Sequence, residues 1–69
     1  MIADIIPTHE GYSVCIFVRG GKFFLQFHDG QWGKVVDTIA AWVADDDLDF
    51  TERDAMLACL LIGAKGARS

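Results

Sequence analysis

The side chains able to do chemistry are few and dispersed. Cys15, His28, His9 and Cys59 include the atom types of a zinc site or of a thiol nucleophile. Their spacing gives neither a C-x-x-C pair nor two histidines on one helical face, so the residues read as a packed cysteine and a histidine on a sheet surface. Asp45, Asp47 and Asp49 match the first, third and fifth ligand positions of a calcium-binding EF-hand loop. Phe50 stands where that loop needs glycine, and Met56 where it needs a bidentate glutamate. Gly20-Gly21 between Arg19 and Lys22 could hold an anion, although a tight turn with positive φ accounts for the same glycines. No paired-carboxylate, serine-triad or Walker-type arrangement is present. The expectation is a non-enzymatic protein with no cofactor and no metal.

The more informative feature is electrostatic. Asp45, Asp46, Asp47, Asp49, Glu52 and Asp54 face a single local cation, Arg53, so residues 45–54 carry all the excess negative charge of a chain whose net charge is -4. Lysines and arginines placed to bind phosphates also accept fixed carboxylates, so such a stretch can occupy the cationic groove of a nucleic-acid-handling protein. A solvated loop followed by a well-capped helix explains the same residues. With 10 acidic side chains against 6 basic ones, direct nucleic-acid binding is disfavoured, and the cations are not clustered.

The elements that must position these groups follow from periodicity. Residues 12–29 read as a β-hairpin closed by Gly20-Gly21, pairing Val18 with Phe23, Ile16 with Leu25 and Val14 with Phe27 on one apolar face. The other face pairs Arg19 with Lys22, Phe17 with Phe24, Cys15 with Gln26 and Ser13 with His28. Residues 2–6, β-branched and ended by Pro7, form a preceding edge strand. Asp29 or Gly30 caps a helix over 31–44, in which Trp32, Val35, Val36, Ile39, Trp42 and Val43 recur at helical spacing. The aspartates at 45–49 form a connector, and Thr51 with Asp54 approximates a capping box for a second helix ending near Ile62, with Gly63 as its C-cap. That second helix is apolar on every side, which leaves one flank to be covered by something else.

The predicted fold is α+β, a three-stranded antiparallel β-meander followed by two α-helices packed on one face. Residues 1–63 form one domain and 64–69 a flexible basic tail. Phe17 and Phe24 are then either covered by the second helix or left bare; with both helices on the opposite face they are bare and become contact candidates, with Trp42 beside them. No stretch approaches the roughly 20 apolar residues that cross a bilayer, and no secretory signal is visible, so a cytoplasmic protein with reduced cysteines is expected.

In size, acidity and sheet-plus-helix make-up the chain resembles the small inhibitors carried by phages and mobile elements, of which anti-CRISPR proteins are one group. That resemblance implies a stoichiometric blocker of a nucleic-acid-handling complex. It would bind a basic protein partner through Asp45, Asp46, Asp47, Asp49, Glu52 and Asp54, with Phe17 and Phe24 as apolar anchors. Glu10-Gly11-Tyr12-Ser13-Val14 also resembles the second-strand opening of HicB-like antitoxins, which neutralise a small toxin. The chain departs from that family in lacking the proline-containing loop after the strand, where Arg19-Gly20-Gly21-Lys22 makes a tight return. A homo-oligomeric structural module, possible through a homodimer interface at Phe17 and Phe24, is the remaining alternative.

Overall fold

The computed structural model describes residues 1–67. Strands β1 (Ile2–Pro7), β2 (Gly11–Val18) and β3 (Gly21–His28) form an antiparallel meander in the order β1-β2-β3, followed by helices α1 (Trp32–Ala44) and α2 (Glu52–Ile62). This is the expected α+β architecture. Helix α1 lies against β3, and α2 against α1 and β1. Val14, Ile16 and Val18 of β2, Phe23, Leu25 and Phe27 of β3, Val35 and Ile39 of α1, and Ala58 and Ile62 of α2 form one buried cluster. Full burial of a side chain such as Ile16 contributes about 1.5–3 kcal/mol.

The hairpin turns one residue earlier than its glycine pair suggests. Arg19 and Gly20, at φ 46° and 78°, are the two central residues, and Gly21 already belongs to β3. Both angles lie in the left-handed region, as a two-residue type I′ turn requires. Each residue of β2 therefore meets a β3 residue two positions before the expected one: Ile16 meets Phe23, Val14 meets Leu25 and Tyr12 meets Phe27. Sliding by two preserves every side chain's face, so the apolar set stays under the helices. On the outer face the pairs become Phe17 with Lys22, Cys15 with Phe24, Ser13 with Gln26 and Gly11 with His28. The physical reason lies with Arg19, whose guanidinium is bound from the turn by Asp49 and Asp54. The expected register sets Arg19 directly opposite Lys22, whereas the observed one places Lys22 Nζ 5.9 Å from the centre of the Phe17 ring.

Gly11 has a steric explanation. A Cβ there would stand 2.1 Å from the Phe27 carbonyl oxygen and 2.6 Å from the His28 Cα, so β3 passes where a side chain would be. Thr8 N–H donates to the Gly11 carbonyl at 2.7 Å, and Gly11 N–H donates to Thr8 Oγ1 at 3.1 Å, which fixes the β1–β2 corner.

The start of α1 is also corrected. Its N-cap is Gln31, not Asp29 or Gly30, and no side chain caps it; Gln31 Oε1 instead turns back to accept the His28 N–H at 2.8 Å. At α2 the capping box is complete, Thr51 Oγ1 accepting from Asp54 N–H and Asp54 Oδ2 from Thr51 N–H. Phe50, between the expected connector at 45–49 and the second helix, is buried with its ring 4.8 Å from that of Phe23 and 5.3 Å from that of Trp42. This removes Trp42 from the contact candidates, since it serves the core. Gly63 is the C-cap of α2, as expected, but at φ -62° it stays helical and not left-handed, and the chain makes one wider turn over Gly63–Ala67, with Gly66 at φ 90°. Of the basic tail expected over 64–69, Arg68 and Ser69 lie outside the described residues.

Two alanine substitutions separate these effects. Gly11→Ala must push β3 away from β2 and is expected to cost about 3 kcal/mol or more. Gly33→Ala, in the first turn of α1 with open space around its Cβ position, is expected to gain up to about 1 kcal/mol. Urea unfolding of both variants against the parent chain measures the two signs.

Candidate protein-binding surface

The acidic stretch divides into a structural part and a free part. Arg19, held at the hairpin turn, reaches across to the connector and to α2. Its Nε donates to Asp49 Oδ2 at 3.0 Å, its Nη1 to Asp54 Oδ1 at 3.2 Å, and its Nη2 to Asp54 Oδ2 and to the Asp49 carbonyl. Asp54 is only 4% exposed. Its carboxylate is used by Arg19 and by the Thr51 N–H, so it is a packing and capping group and not the partner-facing charge expected from the sequence. Asp49 is exposed but shares its charge with Arg19. Asp45 caps the end of α1 and accepts the Asp47 N–H at 3.0 Å. Asp46, Asp47 and Glu52 remain as exposed carboxylates with no ion pair among the described residues. The EF-hand spacing has no spatial counterpart: Asp45 folds back on its own loop, Asp49 turns to Arg19 and Phe50 enters the core. Among the described residues, no group of three or more His, Cys, Asp or Glu is placed to hold a metal ion.

Arg19 also ties this acidic loop to the end of the sheet that carries Phe17. Phe17 is 39% exposed and Phe24 58%, both on the face away from the helices. The strand pairing puts Ile2 beside Phe17, and Ile2 and Ile6 are exposed on this same face. The outer sheet is thus an apolar surface whose hairpin end abuts the acidic loop. The isoleucines went unnoticed in the sequence because their face is set by pairing with β2, which the pattern of a five-residue strand does not fix.

A second apolar surface lies between the helices. Trp32 and Val36 of α1 with Met56, Cys59 and Leu60 of α2 line a groove of about 340 Å³, and Met56 and Leu60 are two-thirds exposed. The all-round apolar character of α2 pointed to such a flank.

The cysteine and histidine candidates are not brought together. Cys15 is opposite Phe24, while His28 is opposite Gly11 at the far end of the hairpin. His28 Nε2 lies 3.3 Å from Glu10 Oε2 in a cleft of about 310 Å³ lined by Thr8, His9, Glu10, Tyr12, Gln26 and Phe27. The hydroxyls of this cleft are already occupied, Thr8 by the Gly11 N–H and Tyr12 by donation to the Lys65 carbonyl at 3.2 Å. It holds an acid and a base beside no activated nucleophile.

The charge clip has a pH signature. The Arg19 guanidinium holds the Asp54 carboxyl at about 2, against the opposing effect of burial and with help from Thr51. A folded value below the unfolded one means that the stabilisation is complete above the ordinary carboxylate range and is lost as pH falls from about 4 towards 2. Asp54→Asn should lack that component. Urea midpoints followed from pH 6 to pH 2 should therefore converge for parent and variant at the acid end, and parallel curves would show that the pair contributes nothing.

No protein-family model, curated protein or solved structure matches this chain.

Proposed function

We propose that this chain is a non-enzymatic protein-binding domain that blocks a basic, nucleic-acid-handling partner by occupying its cationic surface, in the manner of anti-CRISPR-like inhibitors. The observation that carries this reading is the junction of two surfaces at the hairpin end. Exposed Phe17 and Phe24 supply apolar contact area, and the stretch that carries the exposed carboxylates of Asp46, Asp47 and Glu52 is tied to the hairpin turn through Arg19. Aromatic anchors with a charged rim are the usual division of labour at a protein interface, the aromatics contributing affinity and the charges steering encounter. A catalytic reading finds less support: in the cleft that holds His28 and Glu10, the Tyr12 hydroxyl donates to the Lys65 carbonyl and Thr8 Oγ1 accepts the Gly11 N–H.

Because Asp49 and Asp54 are committed to Arg19, the residues to reverse are Asp46 and Asp47. Affinity capture from a host-cell lysate identifies the partner, and association kinetics are then followed with the purified pair. The Asp46→Lys, Asp47→Lys double variant is expected to associate about tenfold more slowly at low salt and to lose most of the parent's salt dependence, with dissociation little changed. An unchanged association rate, or a captured partner without a basic surface, would overturn the reading.

A further inference from the structure

The two open edges of the sheet are built differently. The Thr8 to Gly11 hydrogen bond fixes which backbone groups face β2: those of Ile2, Asp4 and Ile6 do, and those of Ala3, Ile5 and Pro7 face outward. Pro7 has no N–H, so the outer edge of β1 is blunted at that end. On β3, the two-residue turn makes Val18 and Gly21 the first hydrogen-bonded pair. Phe23, Leu25 and Phe27 therefore bond to β2, and Lys22, Phe24, Gln26 and His28 turn their N–H and C=O groups to the open side. Strand β3 contains neither proline nor bulge. Lys22 does not guard its edge, because its ammonium is drawn over the Phe17 ring. Gln31 Oε1 takes the His28 N–H and closes one end of the template, and the turn closes the other. What remains is a short edge centred on Phe24.

We infer that this edge pairs with the same edge of a second copy, antiparallel, about a two-fold axis at Phe24. Phe24 then faces the second copy's Phe24, and Lys22 faces its Gln26, each pair exchanging both main-chain hydrogen bonds. The segment left open is the one such symmetry uses in full, and no like charges meet. The antiparallel arrangement sends the two hairpin tips in opposite directions, so the acidic loops end up far apart. By helical spacing, the flank of α1 turned away from α2 carries Lys34, Thr38 and Ala41, so no large apolar side chain overhangs the edge. The product is a continuous six-stranded sheet with its apolar outer faces joined. An edge this short buries less than the roughly 800 Å² per partner of a standard interface, so the dimer is weak.

Sedimentation equilibrium of the full chain over a concentration series tests this without reference to any binding partner. The parent chain should follow a monomer–dimer equilibrium. Phe24→Lys and Phe24→Glu each set like charges against each other at the axis and should weaken the dimer about tenfold or more, while an equimolar mixture of the two should restore association as a heterodimer. Gln26→Pro removes an outward N–H without touching the β2–β3 ladder and should give a monomer, which keeps the test open if a Phe24 variant fails to fold by circular dichroism. A parent chain that stays monomeric at about 1 mM, or a dimer that survives both the Phe24 and Gln26 variants, overturns the inference. The second result would move the contact to the outer sheet face or to the groove between the helices. A chain that remains monomeric and instead adds a strand from a foreign protein also overturns it.

Discussion

The arrangement rests on what Arg19 does at the hairpin turn. It adopts a left-handed φ of 46°, a conformation that costs a residue with a side chain about 1–2 kcal/mol. It is held there because its guanidinium is bound by Asp49 and Asp54. Asp54 in turn closes the capping box of α2. One side chain thus sets the register of β2 against β3 and docks the start of the second helix on the hairpin. A buried carboxylate without this cation would carry an uncompensated charge, so the hairpin tip and α2 depend on each other.

Much of this was legible in the sequence, and the places where it was not have a common cause. Alternation of apolar and polar residues from Val14 to Phe27 identifies the face of every strand residue, because a slip by one would invert it. A slip by two leaves the same alternation, so nothing in the pattern distinguishes a turn at Gly20-Gly21 from one at Arg19-Gly20. The choice between them depends on Arg19 reaching Asp49 and Asp54, residues 30 and 35 positions away. The same long-range contact hid the role of Asp54, whose position in a capping box is equally compatible with full exposure. Phe50 was hidden by its company: it stands between the expected connector and the second helix, and only the fold shows it closing a cluster with Phe23 and Trp42.

Gly11 bears on the resemblance carried by residues 10–14. Its lack of a side chain is demanded by the local approach of β3 at the Phe27 carbonyl. The glycine therefore testifies to strand packing and adds no weight to an antitoxin reading. Phe17 and Phe24 are different, since no feature of the fold requires an aromatic on the outer face. Aromatic side chains bring large apolar area, and leaving two of them bare on so small a chain forgoes stabilisation that burial would supply. An exposed apolar surface of this kind is a candidate for contact with another molecule.

Self-association through β3 would change how that contact works. Each copy of the two-fold pair would place its own acidic loop and its own Phe17 at opposite ends of a shared sheet, with the two Phe24 side chains between them. A partner that is itself repetitive, or that presents two cationic patches, would then be held at two points by one dimer. The second contact would be made at the effective concentration set by the rigid sheet and not by diffusion, so two weak surfaces could act as one tight one. Such a gain vanishes when the spacing of the partner's patches does not match the span of the sheet. The edge centred on Phe24 would thereby decide which partners are bound tightly, while the exposed carboxylates of Asp46, Asp47 and Glu52 would decide which are approached.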